Sequence, residues 1–72
     1  MSEQLQILYM EARLVRLASE QWEKSLEEVN QIFIKHDVYH YVKNLWGLFH
    51  VEGDQAVLED VETYINNQEN MP

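Results

Sequence analysis

The chain has no cysteine, which excludes disulfides, thiolate zinc sites and thiol redox chemistry and is compatible with a reducing compartment. Proline occurs only at Pro72 and glycine only at Gly47 and Gly53, so residues 3–22 contain neither and favour a helix. Positive charge is also scarce. Five Lys and Arg stand against thirteen Asp and Glu, a net charge of −8. That balance repels phosphate backbones and anionic headgroups, which disfavours nucleic acid and membranes as partners. Its ordinary meaning is a solvated acidic surface; its sharper meaning is a surface matched to a basic protein. No apolar run is long enough to span a bilayer, and the opening MSEQ is not a basic stretch followed by an apolar one. Neither a membrane segment nor a signal peptide is therefore expected, and the chain reads as cytoplasmic.

What is present is apolar and helical. At 46% hydrophobic residues the chain lies well clear of the disordered class. Its 72 residues make one domain, residues 1–72. A core of this size rarely supplies more than about 3–5 kcal/mol, so such domains often recruit a partner subunit. Residues 38–49, VYHYVKNLWGLF, hold four of the eight aromatic residues, with Val38, Tyr39, Tyr41, Val42, Leu45, Trp46, Leu48 and Phe49 on one half of a helical wheel. That stretch is the expected core helix.

Residues 3–22 predict a helix whose apolar arc exceeds what one small domain needs. Leu5, Leu8, Ala12, Val15 and Trp22 form one stripe at 3-4 spacing, and Ile7, Met10, Leu14 and Leu17 form a second. Either the helix is sandwiched inside its own domain, or one stripe faces the domain and the other a second copy; the second arrangement is favoured, because a two-fold interface commonly buries leftover apolar surface. Ile7, Met10, Leu14 and Leu17 are the candidate self-association face, although spacing alone does not say which stripe lies inside. On the polar strip, Arg16 and Glu20 are spaced for an i,i+4 pair.

Ser25 to Glu28 fits a capping box and starts a second helix, with Leu26, Val29, Ile32, Phe33 and His36 inward. Asp37 is the expected N-cap of the core helix, which gives a helix-turn-helix-like junction near residue 37. Gly53 and Asp54 supply a residue tolerant of positive φ and then an N-cap. Val57, Leu58, Val61, Tyr64 and Ile65 define the last helix, with Glu59, Asp60 and Glu62 on its outer face. The expected fold is all-α, a small bundle of four helices at about 3–22, 26–36, 38–50 and 55–67, with a frayed polar tail from about 67.

The run FHVEGDQAVLEDVETYI, preceded by HDVYHYV and by ILYMEARLVRLASE, resembles a family of small bacterial proteins known as domain of unknown function 3791. The likeness covers nearly the whole chain. Its most specific part is Phe49-His50, the Gly53 turn, and the V-L-E-D-V pattern at 57–61 closing on Tyr64-Ile65. The resemblance implies a short helical protein and carries no activity. Members are sometimes encoded near proteins resembling ADP-ribosyltransferase-type toxins, which implies an accessory or antitoxin-like role.

The residues give little sign of chemistry. His36 and His40 are four apart, but a ligand pair at that spacing needs one continuous helix and Asp37 separates them. His36 and His50 read as residues closing helix ends near the C-terminal dipole. The serines Ser2, Ser19 and Ser25 sit in no G-x-S-x-G elbow, and neither a phosphate-cradling glycine loop nor an EF-hand series is present. Glu59, Asp60 and Glu62 read as a solvated face rather than paired acid-base carboxylates. As a recognition helix, the core helix offers Lys43, Asn44 and His40, a thin set against the net charge. No catalytic residue, metal or cofactor is expected, and the chain is not expected to be an enzyme. The leading expectation is a non-catalytic interaction module that forms a homodimer. The alternatives are an antitoxin-like accessory protein presenting the acidic face of Glu59, Asp60 and Glu62 to a basic partner, and a DNA-binding regulator.

Overall fold

The computed structural model describes residues 2–69. It contains five helices in chain order: α1 Glu3–Trp22, α2 Leu26–Lys35, α3 Val38–Asn44, α4 Trp46–Phe49 and α5 Asp54–Glu69, with no strand among the described residues. The fold is the expected small all-α bundle. α1 packs on α2, α3 and α5 and is the rod about which the others gather.

Local chemistry sets the ends of these helices. Ser2 caps α1 by accepting the Leu5 N–H at 3.2 Å. α1 ends where Glu23 turns left-handed at φ 55°, returning its N–H to the Ser19 carbonyl. The capping box opens α2 as the spacing predicts: Ser25 Oγ accepts from the Glu28 N–H and Glu28 Oε1 accepts from the Ser25 N–H, both at 3.0 Å. Where α2 meets α3, Asp37 holds the expected N-cap position of α3, but it does so without the side-chain bond of a cap. It turns the chain itself, at φ 58°. Asp is among the few side chains that tolerate that region.

The expected core helix over 38–50 is divided. Leu45, at φ −101° and ψ 14°, ends α3 and starts the single turn α4, whose Leu48 and Phe49 N–H groups both bond to the Leu45 carbonyl at 2.9 Å. The break re-aims the aromatic face, so that Val42 and Phe49 both reach the core. At the next turn Gly53 does not adopt positive φ. Its carbonyl accepts the Val57 N–H at 3.1 Å, and Asp54 is the first residue of α5 rather than its cap. α5 runs further than expected, carrying 67–69 as helix; the rest of the expected polar tail lies outside the described residues.

The core joins Met10, Leu14 and Ala18 of α1 to Val29 and Phe33 of α2, Val38 and Val42 of α3, Phe49 of α4, and Val57, Leu58, Val61 and Ile65 of α5. Phe33 sits between Trp22 and Tyr39 in edge-on contacts at 6.0 and 5.5 Å, an arrangement that suits the ring quadrupoles. Burying these side chains supplies most of the drive to fold.

Candidate functional site

The two stripes of α1 part company in the structure. Ile7, Met10 and Leu14 are 8%, 3% and 0% exposed and point into the protein's own core, while Leu17 is half-buried against it. The expectation that these four face a second copy is therefore corrected. Together with the fully buried Ala18 they are the inner stripe, because the small Ala18 lets neighbouring helices close on this side of α1.

Most of the other stripe stays outside, although its last member, Trp22, packs against Phe33 of the core. Leu5 is 45% exposed and Leu8 55% exposed, Ala12 is exposed, and Val15 is half-buried. Two shallow depressions meet on Ala12 and Val15, one reaching Leu8, Glu11 and Tyr39, the other Arg16, Leu26, Glu27 and Asn30. Leu26, at 57% exposed, extends the apolar band onto the first turn of α2. The Tyr39 hydroxyl donates to Asn30 Oδ1 at 2.6 Å and closes one edge of the groove. Burial pushes the Glu11 carboxyl above its usual range, with Lys43 pulling the other way, and burial followed by the nearby Glu11 charge pushes the Tyr39 phenol up. Arg16 is exposed and forms no ion pair among the described residues, the expected contact with Glu20 included. The basic residue that does find a carboxylate is Arg13, whose Nε lies 2.9 Å from Asp54 Oδ2 and ties α1 to the start of α5.

The expected acidic face of α5 is split. Glu59 and Glu62 line a cleft of about 700 Å3 between the ends of α1 and α2 and the flank of α5, with Trp22, Ile32, Lys35, His36, Ile65 and Glu69 also on its walls. Asp60 turns away towards Tyr41, where the Asp60 charge and burial, burial first, push the phenol up. Glu62 is not free in solvent: its Oε2 accepts the Trp22 indole N–H at 2.7 Å. No sequence spacing links residues 40 apart, so the pattern of the chain does not point to this contact.

His36 closes α2, as expected of a histidine at a helix end, and is held more firmly than the dipole requires. Its Nδ1 lies 3.1 Å from Gln68 Oε1, Gln68 Nε2 donates to the His36 carbonyl at 3.1 Å, and its Nε2 is 3.5 Å from Glu69 Oε1. His50 bonds through Nδ1 to the Trp46 carbonyl at 2.8 Å. His40, Lys43 and Asn44 share an exposed position on α3. Among the described residues no three His, Asp or Glu converge as metal ligands, and no helix is long and apolar enough to cross a membrane.

Residues 10–68 match the model of a family described as protein of unknown function (DUF3791). No curated protein and no solved structure matches the chain.

Proposed function

Because this chain belongs to the DUF3791 family, whose description assigns no activity, its function has to be read from its surfaces, and we propose that it is a non-catalytic interaction module that pairs with a second copy through the outer stripe of α1. The observation that carries this reading is the band of Leu5, Leu8, Ala12, Val15 and Leu26. It leaves large apolar side chains about half exposed on the longest helix of an otherwise acidic molecule.

The spacing of that band favours a like partner. Leu5, Leu8, Ala12 and Val15 occupy alternating 3-4 positions, the pattern of a two-helix seam, with small Ala12 near its middle to let the helices approach. Glu11 immediately precedes Ala12 and Arg16 immediately follows Val15. In a parallel two-fold pair, residues so placed meet across the seam, so each Glu11 would face the partner's Arg16, twice over. That contact would offer a cation to a carboxylate held in apolar surroundings and a carboxylate to an arginine that pairs with none among the described residues. Swapping the charges tests this. Glu11→Arg or Arg16→Glu alone sets like charges against each other and should weaken the dimer about tenfold, and the double variant should recover most of the loss. Single variants that dimerise as well as the parent would remove this pairing.

A second reading has its own support. The excess of thirteen acids over five bases, together with Glu59 and Glu62 on one cleft, suits an accessory or antitoxin-like protein that covers a basic site on a different protein. Such a partner, co-expressed with this chain, should co-purify at low salt and separate at high salt; no association at low salt would dismiss the reading.

A further inference from the structure

The cleft beside Trp22 combines features that α1 lacks. Its floor is an indole with two isoleucines, Ile32 and Ile65, and its rim carries the carboxylates of Glu59, Glu62 and Glu69 against one ammonium, Lys35. Among the described residues none of the three carboxylates has a Lys or Arg within 4 Å; the single ion pair among them is the 3.5 Å approach of Glu69 to His36. Glu62 commits Oε2 to Trp22, which fixes the carboxylate beside the indole and leaves Oε1 for another donor. Among the described residues the Glu59 carboxylate accepts only from the exposed Gln55 amide, at 3.3 Å.

We propose that this cleft receives the guanidinium of an arginine side chain presented by a partner protein. A guanidinium is planar and weakly hydrated, lies well against an aromatic surface and forks two N–H donors onto a carboxylate. The cleft offers both counterparts side by side: indole and isoleucine for the plane and the methylene stem, Glu62 Oε1 and Glu59 for the N–H groups. A lysine ammonium would use the acids and gain less from the indole. At about 700 Å3 the cleft admits an arginine together with the apolar residues beside it. The inference rests on the second reading above and gives it a place on the molecule.

The test uses the whole chain, in which Trp22 and Trp46 are the two tryptophans and each supplies one indole N–H to follow by NMR. The probe is an acetylated, amidated Ala-Leu-Arg-Leu-Ala peptide, and the control is the same peptide with citrulline, which keeps the shape and removes the charge. At low salt the arginine peptide should shift the Trp22 signal saturably and leave the Trp46 signal in place, and the citrulline peptide should not. Glu62→Gln keeps an acceptor for the Trp22 N–H, so the variant should retain its helicity while binding falls about tenfold; Glu59→Gln should weaken binding about threefold. An unmoved Trp22 signal, an equal response to citrulline, or indifference to both substitutions would overturn the inference. A basic partner that still co-purifies undiminished with the Glu59→Gln, Glu62→Gln double variant would leave the partner reading standing and remove only this cleft from it.

Discussion

Leu14 and Leu8 lie six residues apart on one helix and are chemically identical, yet the structure gives them opposite work. Leu14 is fully buried among the core side chains, so Leu14→Ala should cost about 2–5 kcal/mol in urea unfolding. Leu8→Ala, measured in dilute solution where only monomer is present, should change stability by no more than about 0.5 kcal/mol. From the sequence, charging Leu14 and Leu17 would be expected to split a dimer and spare the helices; with Leu14 in the core, the same change should abolish the far-UV helical signal. Both stripes were legible as apolar. Which one lay inside was not, because hydrophobic spacing is a property of one helix and the inside is defined by the others. Glu28 shows the reverse case, in which a local pattern carries the whole answer. The Ser25 backbone N–H, then its hydroxyl, hold the Glu28 carboxyl below its usual range. A carboxyl depressed on folding stabilises the protein above its unfolded pKa and loses that contribution as pH falls through its folded value. The stability gap between the parent and Glu28→Gln should therefore be open at neutral pH and close in acid, as thermal melts across that range would show.

At the scale of elements, capping and periodicity placed α1, α2 and α5 within a residue or two, since those signals are local. The middle of the chain was less legible. Asp37 stands where a cap of α3 is expected, and it takes a left-handed turn between the buried Phe33 and Val38, a conformation no local spacing announces. The break at Leu45 falls two residues before Gly47, a weak signal at that distance, and it lets both Val42 and Phe49 reach one core. Long-range polar contacts were the least visible, because no spacing pairs residues 30 to 40 apart. His36 with Gln68 and Trp22 with Glu62 are the clearest examples. Gln68 bonds twice to His36 and clasps the end of α5 to the α2–α3 corner, so Gln68→Ala should cost about 1–2 kcal/mol. Hydrogen exchange should place much of that loss in the last turn of α5.

For the molecule as a whole, two surfaces carry the proposals: the apolar stripe of α1, proposed to meet a like chain, and the acidic, aromatic-floored cleft at the far end of that helix, proposed to meet a basic one. They respond to salt differently. Apolar pairing is little screened, whereas an exposed ion contact weakens as ionic strength rises. The seam is the central claim, and it is tested most directly by sedimentation equilibrium of the full chain at micromolar concentration. A mass of twice the 8.7 kDa chain, reduced to a single chain by Leu8→Glu with helicity retained, is the predicted result. A single-chain mass for the parent at every concentration up to about 100 μM, well above the dissociation constants of specific protein pairs, would contradict it.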